Sequence, residues 1–221
     1  MKLNLSADEV LSTTRAVRKR LDFTKPVPME VIRECLELAT QAPTGSNAQG
    51  WHFVFVTDPA KKAKLAELYK ARFAAYRQMD VSAHNLAEGL DGAAKAQQER
   101  VIDSAEYLSE HMAEAPVLMI PCVEGRVDQA TGPMASIAAA SVYGSIIPAA
   151  WSFMLAARER GLGTAWTTLH LMDEKEVSDL LGIPYDRVTQ VALVPIAYTK
   201  GTDFKPARRK PLDDVVHVDA W

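Results

Sequence analysis

Apolar positions along the chain switch repeatedly between helical and strand periodicity. Val31, Ile32, Cys35, Leu36 and Ala39 recur at helical spacing after Pro28-Met29-Glu30, so a helix with proline in its first turn is predicted to run to about Thr40. Trp51, Phe53 and Phe55 then alternate with His52, Val54 and Val56, which predicts a strand from Trp51 to Thr57. Upstream, Ser6-Ala7-Asp8-Glu9 has the form of a capping box and starts a short helix through Val10, Leu11 and Thr14. Downstream, Asp58-Pro59 starts another through Leu65, Leu68 and Phe73. From Arg77 to Ala94 the pattern is broken by Asp80, Ser82, Asn85, Gly89, Asp91 and Gly92, and it resumes from Ala93 to Met112. Residues 70–112 are therefore expected to form a mobile helical excursion of the kind that covers a site.

Pro116 to Val123 is a short, continuous apolar run and reads as a buried strand. Between Ala135 and Ala157 no residue is charged, a length that would cross a membrane. Ala, Ser and Gly dominate it and Pro148 interrupts it, so the expected element is a central helix buried all round. The small residues Ala138, Ala139, Ala140, Ser141, Gly144 and Ser145 allow close approach of another helix, in the core or from a second subunit. Cations and Gly161 close this helix, and Leu162 to Thr168 reads as a turn into a short extended piece. Gly161-x-Gly163 lies after a helix and before a strand, the reverse of the order a dinucleotide fingerprint needs. Asp173 is expected to cap a helix from Glu174 to Leu181 that Gly182 ends, followed by one buried strand from Val188 to Tyr198. The tail from Lys200 has no helical period and ends in Val215, Val216 and Trp221, which suggests an arm packed on something.

Composition narrows the function more than the fold. The 221 residues are 48% hydrophobic and 24% charged, in the range of one globular domain spanning 1–221 with an excursion at 70–112 and an arm at 200–221. A net charge of -3 argues against a nucleic-acid partner. The five histidines show no ligand spacing, so no metal is expected, and Cys35 and Cys122 read as buried free thiols. The first residues hold no apolar signal region, which points to the cytoplasm, with no membrane partner.

Two basic clusters and one polar loop carry the candidate chemistry. Arg15, Arg18, Lys19 and Arg20 fall within six residues, and Arg15 and Arg18, three apart on a helix turn, would converge on one anion. Arg208-Arg209-Lys210 lies far away in sequence. The stretch Ala42 to Trp51 lines up Thr44, Ser46, Asn47 and Gln49 between two glycines, which suits a loop that hydrogen-bonds a planar polar ligand; an ordinary polar turn is the alternative. No Ser-His-Asp set or paired-carboxylate motif is present, so no catalytic side chain is assigned.

In this order, Arg15-Ala16-Val17-Arg18, Ala42-Pro43-Thr44-Gly45-Ser46-Asn47-Ala48-Gln49-Gly50-Trp51, Gly161-Leu162-Gly163-Thr164-Ala165-Trp166 and Arg208-Arg209-Lys210-Pro211-Leu212 resemble the motifs of the FMN-dependent nitroreductase family. The resemblance implies an α+β fold, a mixed β-sheet surrounded by helices, in an intertwined homodimer with two shared active sites. It implies FMN as cofactor, its phosphate held by Arg15, Arg18 and Arg209, with Ala16 and Arg208 alongside. It places Pro43, Thr44, Gly45, Asn47 and Gln49 on the flavin from across the dimer interface, and the backbone of Trp166, Thr167, Thr168 and Leu169 near flavin N5 and O4. The implied reaction takes hydride from NADPH or NADH and reduces a nitroaromatic, quinone or similar small acceptor by a ping-pong mechanism. Reductive dehalogenation, flavin-fragmenting synthesis and a non-catalytic flavin-binding module are the alternatives. The dehalogenase relatives grip an amino acid with a Glu, a Tyr and a Lys of the lid, and Glu106, Tyr107 and Lys95 are the residues present here. Two positions depart from the family: Ala16 replaces a serine, and Gly50 replaces the proline before the tryptophan.

Overall fold

The computed structural model describes residues 2–221. Its elements are α1 (Ala7–Thr13), β1 (Leu21–Asp22), α2 (Met29–Ala39), β2 (Trp51–Val56), α3 (Pro59–Tyr76), α4 (Ala83–Glu88), α5 (Gly92–His111), β3 (Val117–Glu124), α6 (Met134–Glu159), β4 (Leu162–Thr164), α7 (Glu174–Leu181), β5 (Val188–Gln190) and β6 (Val194–Thr199). The fold is α+β. The sheet runs in the order β1-β6-β3-β2, with β4 also on β6 and β5 also on β3. Every pairing between these strands is antiparallel, and the parallel component of the expected mixed sheet is one bridge, Ala16 to Thr164.

Strand β3 explains why its sequence is apolar without alternation. Val117 and Met119 point into a core built with Ile32 and Cys35 of α2 and Phe153, Met154 and Ala157 of α6. Leu118, Ile120 and Cys122 point to the other side, against Leu65, Leu68 and Phe73 of α3, Leu108 of α5 and Val177 of α7. The sheet is therefore covered by helices on both faces, and a strand between two helical layers keeps apolar residues at every position. Both cysteines are buried and unpaired, and burial raises the Cys35 thiol to about 11 and Cys122 to about 12.

Four sequence expectations change. Helix α6 is buried on its C-terminal half, from Ile146 to Ala157, but its N-terminal half leaves Met134 and Ile137 exposed and Trp151 is 40% exposed, so it is not buried all round within one chain. Its small residues leave an open apolar face rather than seating a helix of the same chain. By length and composition α6 is also the one helix among the described residues long and apolar enough to cross a membrane. The run Val188 to Tyr198 is two strands. β5 pairs Gln190 with Cys122 and β6 pairs Val194 with Met119, so three residues, 191–193, face two on β3. The extra residue is a bulge, and it turns the Leu193 backbone away from β3. The carboxylate of Asp173 does not cap α7; it is held by Arg72 (Nε to Oδ2, 2.7 Å). Finally, the end of the chain does not pack on the rest of it, since Val215, Val216 and Val218 are exposed and Trp221 is 103% exposed.

One close approach fixes the position of the first basic cluster. A Cβ built on Gly163 of β4 would lie 2.8 Å from Thr199 Cγ2 and 2.9 Å from Val17 Cβ, so only glycine lets the segment after α1 lie on β4. Gly161 ends α6 instead, at φ +74, with open space around it. Gly163→Ala is expected to lower unfolding stability in urea by about 1–3 kcal/mol through overpacking. Gly161→Ala is expected to lose about 1–2 kcal/mol through its backbone alone, with no change in the neighbouring core.

Candidate active site

Helix α1 ends at Thr13, and Arg15 to Val17 follow outside any helix, with Arg18 at the bend that opens a turn to Leu21. The Val17 N–H donates to Thr164 O at 2.8 Å and Ala16 bridges to Thr164, so the segment is bound along β4. Arg15 and Arg18 still reach one cavity: three apart on a straight strand they would face opposite sides, but the chain bends at Arg18, whose carbonyl accepts from Leu21 N–H at 3.0 Å. That cavity holds about 370 Å³, and Arg15, Ala16, Arg18, Gln97, Arg100, Ser104 and Arg208 line it. No carboxylate does.

The four cations of the first cluster separate in pairs. Lys19 and Arg20 are neutralised by Asp103 and Asp203. Arg15 donates only to Lys205 O at 3.3 Å and Arg18 only to Ser104 Oγ at 3.3 Å. Among the described residues Arg15, Arg18, Arg100 and Arg208 have no carboxylate partner, whereas Arg72, Arg126 and Arg160 elsewhere are each paired. Burial lowers the Arg18 pKa from its ordinary value, with Tyr69 acting in the opposite sense; guanidinium stays charged under any ordinary condition. Four like charges around one solvent-filled space, one of them partly desolvated, form a site for an anion.

Arg18 and Val101 also line an adjoining chamber of about 230 Å³. Its walls are Tyr69, Phe73 and Tyr76 of α3, His84 of α4, Ile102 and Ala105 of α5, and the stretch Trp166, Thr167, Thr168 and Leu169. The bulge between β5 and β6 positions that stretch. Thr167 N–H donates to Leu193 O at 3.2 Å, Leu193 N–H donates back to Thr167 O at 2.8 Å, and Thr167 Oγ1 donates to Leu193 O at 2.5 Å. At the lid side, His84 Nε2 lies 3.1 Å from Glu106 Oε1, which also meets Arg77 at 3.3 Å.

The polar loop lies elsewhere. Thr44, Gly45, Ser46, Ala48 and Gly50 line a separate cavity of about 260 Å³ against Ser141, Val142 and Ser145 of α6. Gly45 N–H donates to Ser145 Oγ at 3.1 Å, Gln49 N–H to Thr44 Oγ1 at 3.0 Å, and Gln49 Nε2 to Asn47 Oδ1 at 3.0 Å. Ser46, Asn47 and Gln49 all have positive φ, at 53°, 52° and 52°. Three non-glycine residues in the left-handed region cost on the order of 1 kcal/mol each, a concentration characteristic of functional loops.

The structure thus brings Arg15, Ala16, Arg18, Trp166, Thr167, Thr168, Leu169 and Arg208 to two adjoining cavities and keeps Pro43, Thr44, Gly45, Asn47 and Gln49 apart from them. Arg209 lines neither cavity; its Nη1 donates to the Arg208 carbonyl. Gln97, Arg100 and Ser104 were not anticipated, although their spacing of three and four residues sets them on one face of a helix. Among the described residues no cluster of ligating side chains could hold a metal.

In this α+β fold an anion cavity thus adjoins an aromatic chamber, the two sharing Arg18 and Val101 as walls. The family model described as the Nitroreductase family matches residues 11–198, and the chain belongs to that family. It is 26% identical over 214 residues to iodotyrosine deiodinase 1 of Rattus norvegicus, covering 94% of this chain and 67% of that protein. It is 28% identical over 211 residues to 4-nitrobenzoate reductase of Nocardioides sp., covering 86% and 79%. Its fold is shared with a crystal structure of oxidised iodotyrosine deiodinase bound to FMN and 3-iodo-L-tyrosine, with TM-score 0.67, 21% identity and coverage of 97% and 99%.

Directly after the stretch at Leu169, His170 is fully buried with no partner among the described residues for either ring nitrogen, and burial lowers its pKa to about 3. The unfolded chain, with a histidine near 6.5, binds the proton first, so this group's contribution to stability is complete above pH 6.5 and is lost as pH falls towards 3. The expected loss reaches roughly 5 kcal/mol at the acid end. Unfolding midpoints of His170→Leu between pH 7 and 4 should fall less steeply than those of the native chain; parallel curves would show that His170 is not held neutral.

Proposed function

We propose that the chain is an FMN-dependent oxidoreductase that takes hydride from NADPH or NADH and reduces a nitroaromatic, quinone or similar small acceptor. The observation that carries this reading is the set of unpaired guanidinium groups at Arg15, Arg18 and Arg208 around a cavity that adjoins, across Arg18 and Val101, an aromatic chamber beside Thr167 to Leu169. A phosphate monoester satisfies the first space, and a planar ring suits the second. The residues therefore fit FMN, with Arg15 and Arg208 at the phosphate and Arg18 between phosphate and ring. When bound, FMN supplies the chemistry, by accepting a hydride from the donor and passing it to the acceptor.

The chain's own part is to bind, orient and exclude water. Thr167 is locked to Leu193 by three hydrogen bonds, so the backbone that follows is held in place. Tyr69, Phe73, Tyr76 and Trp166 keep the chamber apolar, and Ala16 contributes no hydroxyl beside the phosphate. No side chain is assigned to proton abstraction or nucleophilic attack. Residues 1–221 act as one domain, the excursion at 70–112 covers the chamber, and the two unpaired thiols suit the cytoplasm.

Pro43, Thr44, Gly45, Asn47 and Gln49 enter this reading from a second copy. Thr44 and Gly45 anchor their loop beside the N-terminal half of α6, whose exposed apolar residues, together with the exposed end of the 200–221 arm, form the surface an intertwined homodimer would cover. Sedimentation of the dilute, flavin-loaded chain is expected to show dimer alone; a stable monomer that keeps its FMN would refute the shared site.

The identity to iodotyrosine deiodinase favours reductive dehalogenation as a second reading. The lid supports the first reading over it. Glu106 is engaged by His84 and Arg77, Tyr107 stacks on His111 at 4.2 Å, and Lys95 is exposed, so the three residues share no pocket. Donor and acceptor both need the single chamber, and their binding is therefore mutually exclusive. NAD(P)H oxidation measured against several fixed concentrations of a nitroaromatic or quinone is expected to give parallel double-reciprocal lines. Intersecting lines, or no NAD(P)H oxidation with any acceptor, would sink the proposal.

A further inference from the structure

The anion cavity is built from three parts of the chain: the segment after α1, the start of the arm at Pro206 to Arg208, and α5. The first two carry the basic motifs; α5 belongs to the excursion. Its polar ties to the first segment are the Arg18 to Ser104 hydrogen bond and the Lys19–Asp103 pair. One turn before Ser104, on the same face, stands Arg100, without a carboxylate partner among the described residues although Glu99 and Asp103 are near it in sequence. Asp103 is engaged by Lys19.

We propose that Arg100 is a fourth guanidinium on the phosphate bound in this cavity, and that the phosphate ties α5 to the body of the protein. In the empty cavity Arg100 and Arg18 repel each other across the seam between α5 and the segment on β4, so α5 docks there against a Coulomb penalty. A dianion between them reverses the sign of that interaction, and each guanidinium gains a charge-assisted hydrogen bond. Gln97, on the same face of α5, adds an uncharged donor to the same ligand, while the Ser104 hydroxyl, which donates to the Val101 carbonyl, accepts from Arg18 and holds that guanidinium at the cavity. Because α5 also walls the aromatic chamber through Val101, Ile102 and Ala105, an anion that seats α5 also closes the chamber. The chemistry recognised is a phosphate monoester or free phosphate. Naming FMN as the source rests on the function proposed above.

Amide hydrogen exchange of the full chain, native and Arg100→Gln, separates these points. Inorganic phosphate, and FMN, are expected to slow exchange across residues 97–104 of the native chain, and riboflavin, which lacks the phosphate, is expected not to. Arg100→Gln should lose the slowing and bind FMN about ten- to a hundredfold more weakly, with riboflavin affinity unchanged. Arg100→Lys should recover part of both effects. A variant that keeps the full preference for FMN over riboflavin, or a native α5 indifferent to inorganic phosphate, would overturn the assignment. A chain that binds neither flavin would defeat the FMN reading, while its response to inorganic phosphate still decides the role of Arg100.

Discussion

The contact of Val17 with β4 is the constraint on which the site depends. A backbone hydrogen bond from Val17 to Thr164, possible at that distance because Gly163 carries no side chain, holds the segment of Arg15 and Arg18 against the strand that leads into Trp166 to Leu169. About 150 residues separate those two stretches, and neither has a fixed relation to the other without this seam. β4 is in turn paired with β6, and β6 with β3, so the seam is anchored to the central sheet rather than to a loop. The bulge at 191–193 completes the arrangement from the other side by turning Leu193 onto Thr167. Two irregularities, a missing Cβ and an extra residue, thus convert a regular antiparallel sheet into a rigid floor beside the cavities.

What distinguishes this region electrostatically is that four guanidinium groups and no carboxylate line one cavity. Elsewhere several arginines are paired: Arg126 meets both Asp128 and Glu174, which raise its pKa, and Arg72 meets Asp173, whose pKa is lowered in return, whereas the buried Arg158 is held by Thr13 and the Thr202 carbonyl instead. At the anion cavity four guanidinium groups face one another without compensation. Exposed ion pairs contribute little to stability, so pairing alone carries little weight as an argument. The withheld pairing carries more, because clustered and partly desolvated like charges are destabilising unless a ligand supplies the opposite sign.

Much of the fold was legible in the sequence because burial imposes period. The helix from Met29, the strand from Trp51, the buried strand through Ile120 and the helix after Asp58 follow their apolar spacing closely. What could not be read depends on contacts between distant residues. Arg15 and Arg18 were expected to converge through a helix turn and converge instead through a bend that follows a strand bridge, so the chemical expectation and its geometric reason came apart. The division of Val188 to Tyr198 into two strands follows from the register each half keeps with β3, which no local pattern records. Of the site, the two basic motifs and the stretch after Gly163 were visible as residue types. Arg100 was not, since a cation on a weakly patterned helix looks like any solvated charge until the cavity is seen.

The open face of α6 and the strained loop beside it belong to one problem. Apolar residues on the first half of α6 read in sequence as a buried helix, and the chain alone does not bury them. Ser46, Asn47 and Gln49 hold left-handed backbone conformations with no compensating glycine, fixed by hydrogen bonds from Gly45 to Ser145 and from Gln49 to Thr44. A loop held out at such cost beside an uncovered apolar face is explained if that face is covered in the working protein and the loop's amides are directed at a ligand there. The proposed second copy meets both conditions at once, because the surface that buries α6 would also carry each loop to the other copy's chamber. On that proposal the strain and the exposed apolar area share a single explanation, the sharing of each site between two chains.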